Sequence, residues 1–386
     1  MDLKVSFVSY TYPYPRRGYM AGIERLVEGL SEALVRRGVE VSVITSYRGG
    51  EKKFEVTPKG VALFRARSLA KGIFAVSLAS FSLTAFKKYL SLMRSSDVIQ
   101  VFSASFIPIK PIKNLLPPLI SYFTHLDRPE SIKEFLYLPH VNFILYLLYK
   151  YSDIIIAGDT QNSPQVRELL EFLKVPRHKI RFLYEGVDAS KFNAKIDGTN
   201  IRDKFGDNIV LYVGALSLRK GLMYLVEAIP RIVREIPNVK FVFVGKGEQK
   251  YYLKNLLVRL GVKEHVFFEG FVPESLLPQY YAAADVFAFP TLKEGYPLVC
   301  LESMACGTPV VATKLRNIST LVGDTGILVE ERNPSQLAKG IVQLLEEPTL
   351  RERLGRRAEK RVEENFTWDK ISNHLMQIYE EVMRLR

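Results

Sequence analysis

The stretch EGYPLVCLESMACGTPVV, residues 294–311, predicts a loop that leads into a buried helix. An apolar segment at 287–290 precedes it and is typical of a short buried strand. Pro297 suits the first turn of the helix, where a missing N–H costs nothing, and Gly307 is typical of a helix end. The stretch therefore predicts one strand–loop–helix unit of a parallel α/β sheet, in which ligands bind where the strands end.

The same stretch contains two carboxylates. Glu294 lies in the predicted loop, and Glu302 lies over a turn inside the helix, roughly 6–8 Å further along at about 1.5 Å per residue. A carboxylate accepts two hydrogen bonds at once, which suits neighbouring hydroxyls of a ribose or a hexose. The alternative is two solvated carboxylates, which the apolar flanking residues disfavour because a buried Glu needs a partner. We expect the pair to bind a sugar on one side of a diphosphate and a ribose on the other.

The start of this helix is a candidate phosphate site. A helix N-terminus leaves backbone N–H groups without intrahelical partners, and these bind anions. We expect the N–H groups of Leu298, Val299 and Cys300 to point at a bound phosphate. The predicted donor-binding residues of the loop and first turn are Gly295, Tyr296, Pro297, Leu298 and Val299.

The composition bounds the class of protein. A chain of 386 residues is long enough for two domains of about 180 residues, each with its own core. The net charge of +13 calls for anionic partners such as nucleoside diphosphates, a lipid phosphate, a membrane surface or nucleic acid. No nucleic-acid-binding motif is recognisable, so we expect no nucleic-acid partner.

The two cysteines predict neither a disulfide nor a metal site. On one helix, Cys300 and Cys306 would stand about 9 Å apart, beyond the ~7 Å limit for a disulfide. They are expected to be buried thiols in a reducing compartment. The N-terminus has no signal-peptide pattern, and the uncharged runs at 72–86 and 135–149 are shorter than the ~20 residues that span a bilayer. We therefore expect a cytoplasmic protein without a transmembrane segment.

Strands and helices alternate along the chain. Residues 3–9 predict a strand, residues 23–37 an amphipathic helix and residues 39–45 a second strand. From Asn208 the same order begins again, with the strand IVLYVG, a loop, a helix and the strand KFVFVG. The fold class is thus α/β, with two doubly wound parallel-sheet domains.

Residues 294–312 resemble the E-x7-E motif of the family 4 retaining glycosyltransferases, and the surrounding G, L, LE, MA and GTPVVA residues make the resemblance specific. It implies the GT-B architecture, in which two Rossmann-like domains face a cleft and the C-terminal helix crosses back to the first domain. Residues 1–185, with the helix at 368–386, are then the acceptor-binding domain. Residues 186–367 are then the domain that binds the nucleotide sugar.

The resemblance also implies roles for residues of the second domain. The loop ALSLRKG, at 215–221, resembles the family segment V-G-R-L-x-x-x-K-G, whose two cations face the donor diphosphate. Lys220 matches the lysine, but Ala215 stands where the family has arginine, so Arg219 is the expected substitute. The end of a predicted strand at 266–272 resembles the family's base-binding segment, which implies that Phe271 and Val272 lie near the nucleobase.

In the first domain the resemblance is thinner. The loop before the first helix resembles the family's G-G-x-E-R element, with Gly22 retained and Ala21 in place of the first glycine. His125 follows a predicted strand at 119–123 and resembles the family histidine that lies close to the reacting sugar. Glu185 stands where the family turn usually has asparagine.

Residues 71–150 are apolar, aromatic and basic together, and two interpretations stay open. One is ordinary helices and strands of the first domain, buried on one side. The other is an apolar surface that rests on an anionic membrane and reaches a lipid-linked acceptor. The basic residues that would surround such a surface are Lys87, Lys88, Arg94, Lys110 and Lys113.

The activity implied by the resemblance is transfer of a sugar, with retention, from a UDP- or GDP-type donor to a carbohydrate or lipid-linked acceptor. No Asp-x-Asp pair occurs in the chain, so we expect the reaction to need no metal, and no cofactor besides the donor substrate. Two alternatives stay open. One is a nucleotide-sugar 2-epimerase of the same architecture, and the other is a catalytically degenerate nucleotide-binding or regulatory protein.

Overall fold

The computed structural model describes residues 3–12, 22–47, 49, 51–68, 74–102, 105, 113–123, 146–158 and 175–385. The chain divides into two compact units. Unit 1 comprises Met1–Glu185 together with Trp368–Arg386, and unit 2 comprises Gly186–Thr367.

Unit 1 is built on a sheet whose eight described strands lie in the order β3-β4-β2-β1-β5-β6-β7-β8. All neighbouring strands are parallel except β3 and β4, which form an antiparallel pair at the edge. The strands are β1 (Lys4–Val8), β2 (Glu40–Tyr47), β3 (Phe54–Val56), β4 (Ala62–Arg67), β5 (Val98–Phe102), β6 (Leu119–Phe123), β7 (Ile154–Ala157) and β8 (Ile180–Phe182).

Helices cover this sheet with apolar faces. Helix α1 (Gly22–Arg36) buries Leu26, Val27 and Leu30 in one core, as its amphipathic pattern predicts. Helix α2 (Phe74–Arg94) buries residues such as Phe81 in a second core. The described part of the region 71–150 thus contributes ordinary core elements.

The C-terminal helix packs in unit 1, as the GT-B resemblance implies. This helix, Trp368–Arg384, places Trp368 against Gly29 of α1, where an added Cβ would lie 2.2 Å from the indole ring. The hydroxyl of Tyr379 donates to Gln100 Oε1 at 2.5 Å, and Glu381 forms an ion pair with Arg181. These contacts attach the chain's last helix to the first part of the sequence.

Unit 2 repeats the architecture with a six-stranded parallel sheet in the order β11-β10-β9-β12-β13-β14. Its strands are β9 (Ile209–Val213), β10 (Lys240–Val244), β11 (Val266–Gly270), β12 (Val286–Phe289), β13 (Val310–Thr313) and β14 (Ile327–Val329). Its helices are α3 (Thr199–Phe205), α4 (Leu222–Glu235), α5 (Lys250–Arg259), α6 (Leu277–Ala283), α7 (Leu298–Ala305), α8 (Arg316–Val322), α9 (Pro334–Glu346) and α10 (Pro348–Asn365), and the C-terminal helix of unit 1 is numbered α11.

The predicted α/β class with two doubly wound sheets is confirmed. One boundary was wrong: the strand expected at 266–272 ends at Gly270, because this residue turns the backbone to φ +70°. The antiparallel pair of β3 and β4 was not predicted. Residues 164–173, whose pattern is typical of a helix, lie outside the described residues.

Candidate active site

Glycines bring the backbone segments close together where β9 and β10 end. Gly245 has φ +142°, and a Cβ added to it would lie 1.8 Å from the carbonyl oxygen of Gly214. Its N–H donates to the carbonyl of Gly270 at 2.7 Å. A Cβ at Gly247 would lie 2.2 Å from the carbonyl oxygen of Leu216. The loops at this edge are therefore fixed by backbone contacts that only glycine permits.

The loop that follows β9 is attached to the loop that follows β12. It makes a 3₁₀ turn at Leu218–Lys220 and then turns at Gly221, where φ is +62°. A Cβ on Gly221 would lie 2.1 Å from the carbonyl oxygen of Pro290. The carbonyl of Arg219 accepts the N–H of Leu292 at 2.8 Å, while its side chain is exposed. The predicted cation loop and the predicted carboxylate loop are thus neighbours.

Lys220 and Glu294 meet at this junction as a buried ion pair. Their side chains are only 9% and 11% exposed. The ammonium group of Lys220 also lies 5.0 Å from the ring centroid of Phe289, at the end of β12. Burying two charges is costly unless they pair, so each residue depends on the other for its position. The structure therefore brings together two residues that the sequence singled out separately.

The backbone of the carboxylate loop is held by Asn317, the second residue of α8. Its side-chain amide donates to the carbonyls of Glu294 at 2.7 Å and Gly295 at 2.5 Å. The N–H of Gly295 donates to Glu294 Oε1 at 3.2 Å. Sequence reasoning missed Asn317, because nothing in its local pattern separates it from an ordinary helical residue.

The expectation of free N–H groups at the start of α7 was wrong at two of its three positions. The N–H of Leu298 donates to the carbonyl of Tyr296 at 3.1 Å, and that of Cys300 donates to Pro297 at 2.9 Å. The cause is Pro297, whose φ of −86° and ψ of 72° form an inverse γ-turn before the helix. Val299 remains a predicted anion ligand.

Glu302 is buried at 3% exposure and accepts a hydrogen bond of 2.8 Å from the hydroxyl of Tyr281. Tyr281, on α6, is fully buried beside the rings of Phe192 and Phe287. The carboxylate therefore has the buried partner that its apolar surroundings require. Tyr281 was also missed by the sequence analysis, since it precedes Glu302 by 21 residues on another helix.

Burial raises the pKa of one phenol and two thiols of unit 2 and so keeps these side chains neutral. It raises the pKa of the Tyr212 phenol well above its usual value, and the charge of Glu294 raises it further. The Tyr212 hydroxyl donates to the carbonyl of Ala215 at 2.8 Å. Burial likewise raises the pKa of the thiols of Cys300 and Cys306, with the charges of Glu294 and Glu302 respectively adding to the effect. Both cysteines are free and buried, as predicted.

The other predicted site residues belong to other segments of the chain or lie outside the described residues. Phe271 is exposed just after β11, with the ammonium of Lys246 5.9 Å from its ring centroid, and Val272 is buried. Gly22 is the exposed first residue of α1 in unit 1. His125 lies outside the described residues.

The described residues contain neither a candidate metal site nor a candidate membrane-spanning helix. Within the described residues, no group of three His, Cys, Asp or Glu side chains is arranged to hold a metal ion. None of the helices described here has the length and hydropathy needed to span a bilayer.

Known proteins match both parts of the chain. The model of the family described as Glycosyltransferase Family 4 matches residues 20–191, and the model described as Glycosyl transferases group 1 matches residues 198–361. An uncharacterized glycosyltransferase of Methanocaldococcus jannaschii is 28% identical and is aligned over 99% of each chain.

Solved structures share the fold over the whole length. Sucrose-phosphate synthase from Thermosynechococcus elongatus superposes with a TM-score of 0.79 at 22% identity, covering 100% of both chains. HepE of Anabaena, solved in complex with UDP-glucose, gives 0.72 at 20% identity, covering 98% of this chain and 100% of its own. At these identities the likeness shows the fold. The two family matches show that the chain belongs to the family 4 type of glycosyltransferases, and the structural likeness shows that it has the GT-B fold.

Proposed function

We propose that the protein transfers a sugar from a nucleoside diphosphate sugar, of the UDP or GDP type, to an acceptor hydroxyl with retention of anomeric configuration. The observation that carries this proposal is the buried pair of Lys220 and Glu294 where β9 and β12 end, with Glu302 buried on the helix that follows. The UDP-glucose in the Anabaena HepE structure supports a donor of this class.

Each charged residue has a role in this reaction. Negative charge develops on the leaving diphosphate, and preorganised cations stabilise it. Lys220 and Arg219 supply that charge. In the structure Lys220 is paired with Glu294, so a bound diphosphate would compete for the ammonium group and release the Glu294 carboxylate to sugar hydroxyls. Glu302 binds the ribose, and Phe271 and Val272 contact the base.

Retention follows from a front-face displacement in this proposal. The bond between the anomeric carbon and the phosphate oxygen breaks, and the acceptor oxygen bonds to the same face. The acceptor proton passes to the leaving phosphate oxygen. His125 is proposed to lie near the reacting sugar. Glu294 acts as a hydroxyl ligand rather than a nucleophile, and no metal takes part, in keeping with the absence of an Asp-x-Asp pair from the sequence.

The acceptor is proposed to be a carbohydrate, either free or lipid-linked. A lipid-linked acceptor would be reached by peripheral contact with the inner face of a membrane. Leu83 is 64% exposed on α2, one turn before the exposed Lys87, which supports the lipid-linked form.

The donor site is tested by thermal unfolding with UDP, GDP and ADP in the presence of a chelator. A ligand at a hundred times its dissociation constant adds about 2.7 kcal/mol of stability. We expect UDP or GDP to raise the midpoint of the wild type and of Glu264→Ala, an exposed glutamate outside the site, but not that of Glu302→Ala. No shift with any nucleotide would favour the catalytically degenerate, regulatory alternative and overturn the proposal.

The reaction is tested with the donor that the nucleotide series selects. Proton NMR of the product reports the anomeric configuration, and retention is expected. Conversion of the sugar nucleotide without any acceptor would instead identify a 2-epimerase. If a chelator abolishes transfer and added Mg²⁺ or Mn²⁺ restores it, the metal-free mechanism is wrong.

A further inference from the structure

Unit 1 contains a cavity that the proposed donor site does not use. Its volume is about 240 Å³, and four of the six residues that line it are cations. The lining residues are Tyr47, Lys53, Arg65, Arg67, Thr84 and Lys88.

The cavity lies where a doubly wound sheet usually binds its ligand. Tyr47 and Arg67 are paired in register as the last residues of the parallel strands β2 and β4. Lys53 comes just before β3, the edge strand that pairs with β4. Thr84 and Lys88 stand one turn apart on α2. Ligands of such sheets bind at the carboxyl ends of the strands, so the position itself favours a binding site.

The cations of the cavity are only partly neutralised. Arg65 is 5% exposed and is held by an ion pair of 2.5 Å with Glu55 and a hydrogen bond of 2.8 Å to the carbonyl of Lys52. Lys53 and Arg67 are exposed, and no carboxylate of the described residues is within ion-pair distance of either. The lining therefore carries an excess of positive charge, which an anion would stabilise.

Lys88 is positioned by its surroundings. Its ammonium group lies 4.8 Å from the ring centroid of Tyr89 and 3.5 Å from the carbonyl oxygen of Arg65. Neither contact removes its charge. The side chain is therefore oriented while it can still bind an anion.

Size and chemistry select the ligand class. Pockets for drug-sized ligands measure ~300–1,000 Å³, so about 240 Å³ accommodates a phosphate group with a small attached moiety rather than a whole nucleotide sugar. Arginine matches phosphate with two parallel hydrogen bonds, lysine adds a point charge, and the Tyr47 and Thr84 hydroxyls are further donors. We propose that this cavity binds the phosphate group of a phosphorylated ligand, either a free phosphorylated compound or a phospholipid headgroup.

The proposal does not depend on the donor site. All six lining residues belong to unit 1, whereas Lys220, Glu294 and Glu302 belong to unit 2. A loss of phosphate binding in the cavity is therefore expected to leave the nucleotide-induced thermal shift unchanged, and the shift serves as a check that each variant is folded.

Neighbouring lysines provide a matched control. Lys52 and Lys87 are exposed and adjacent in sequence to Lys53 and Lys88, but they do not line the cavity. The double variants Lys53→Gln/Lys88→Gln and Lys52→Gln/Lys87→Gln lose the same net charge. Calorimetric titration with inorganic phosphate and with glycerol 3-phosphate then compares binding in the cavity with general electrostatic attraction. Any phosphate binding in unit 2 is common to both variants.

Loss of the lining pair is expected to weaken phosphate binding by about tenfold or more, since each charge-assisted hydrogen bond contributes at that level. The flanking pair is expected to bind the two soluble compounds like the wild type. The proposal is overturned if the two double variants bind phosphate with equal affinity. It is also overturned if the wild type binds neither soluble compound in the titration and does not bind vesicles. If the lining double variant does not fold, Arg67→Gln alone, on an exposed strand end, gives the same comparison.

A vesicle assay separates the two sources of phosphate. Vesicles of phosphatidylcholine are sedimented with the protein, with and without phosphatidic acid. Retention on phosphatidic acid that depends on Lys53 and Lys88, with weak binding of the soluble compounds, identifies a headgroup site. Tight binding of the soluble compounds without such retention identifies a free phosphorylated ligand.

Discussion

The two sheets carry their charged residues in opposite ways at the ends of their strands. In unit 2, Lys220 and Glu294 are buried as a pair, and Glu302 is buried against Tyr281. In the described part of unit 1, Lys53 and Arg67 are exposed around a cavity without carboxylate partners. The same architecture thus supports a tightly packed charged site in one unit and an open basic site in the other.

The difference has an energetic consequence. A buried charge is tolerated only with its partner, so removal of one member of a pair affects the stability of unit 2 as well as its chemistry. An exposed cation costs little to remove. Substitutions in unit 2 should therefore change stability and activity together, whereas substitutions of the exposed lysines in unit 1 should change binding alone.

The largest effect is expected for Lys220→Ala. Loss of a preorganised donor to the leaving diphosphate should lower the turnover number by ~10²–10³. The same change leaves Glu294 buried without its cation and should lower the free energy of unfolding by about 3–5 kcal/mol. Initial rates at saturating donor and urea unfolding measure the two losses.

A second substitution separates stability from chemistry at this position. Lys220→Ala/Glu294→Gln removes both charges and should recover part of the lost stability, but no activity. Lys254→Ala, an exposed lysine of α5, controls for net charge. Near-normal turnover of the Lys220→Ala enzyme would contradict the proposed role.

The next effect concerns the backbone contacts. Gly245→Ala places a Cβ 1.8 Å from the carbonyl oxygen of Gly214 and forces alanine to φ +142°. Strain of this kind costs about 1–3 kcal/mol by itself, and the overlap adds to it, so we expect a loss above about 3 kcal/mol in thermal or urea unfolding.

Gly38→Ala is the matched change in unit 1. Gly38 has φ +80°, but an added Cβ there meets no atom within 4 Å. It should therefore show only the conformational cost of about 1–2 kcal/mol. If the two variants lost the same free energy of unfolding, the close approach of Gly245 to Gly214 would contribute nothing beyond the conformational cost.

Much of this molecule was predictable from local pattern. The alternation of strands and helices gave the α/β class, and β6 runs from Leu119 to Phe123 as expected. The spacing of Glu294 and Glu302 placed one in a loop and the other in a buried helix, as observed. Resemblance identified Lys220, which the structure brings to Glu294.

Contacts between separate elements were not predictable. Asn317 and Tyr281 hold the two glutamates from helices α8 and α6, and no periodic pattern records that relation. The inverse γ-turn at Pro297 depends on its ψ angle, which proline leaves open although it fixes φ. Residue types therefore indicated the kind of site, while its supporting contacts required coordinates.

A smaller effect is expected for Tyr281→Phe. It removes the Tyr281 hydrogen bond to the buried Glu302 carboxylate, and a hydrogen bond to a charged group contributes about 1.5–3 kcal/mol to stability. Because Tyr281 positions Glu302, the nucleotide-induced thermal shift should also decrease. Urea unfolding and the nucleotide series measure the two effects.

The neighbouring Tyr280→Phe is the control for that prediction. The Tyr280 hydroxyl donates to Glu269 at 2.6 Å, but Glu269 also pairs with Lys204 at 2.6 Å. Because the ion pair of Glu269 with Lys204 remains, the loss of unfolding free energy should be small. The nucleotide-induced thermal shift should not change. A decrease in the shift with Tyr280→Phe, and none with Tyr281→Phe, would contradict the positioning role.

The smallest effect tests burial at α7 through pH. Burial, followed by the charge of Glu294, raises the pKa of the Cys300 thiol well above its ordinary value of 9.0 in the folded state. The folded protein therefore favours the neutral thiol. Below pH 9.0 the folded and unfolded states bind the same proton at this position, and stability does not depend on it. As pH rises above that value, the unfolded thiol ionises first and the free energy of unfolding falls.

At about pH 10 this loss amounts to about 1.4 kcal/mol for one thiol. Cys300→Ala should remove it, so the difference in unfolding free energy between wild type and Cys300→Ala should shift by that amount between about pH 8 and about pH 10. The same tyrosines titrate in both proteins over this pH range, so their contribution to the unfolding free energy cancels in the difference. Both cysteines of the chain belong to unit 2, so an alkaline loss that comes from a thiol arises in unit 2. A difference that does not change with pH would mean that the Cys300 thiol ionises as readily in the folded protein as in the unfolded chain, and that α7 is less firmly buried than its contacts indicate.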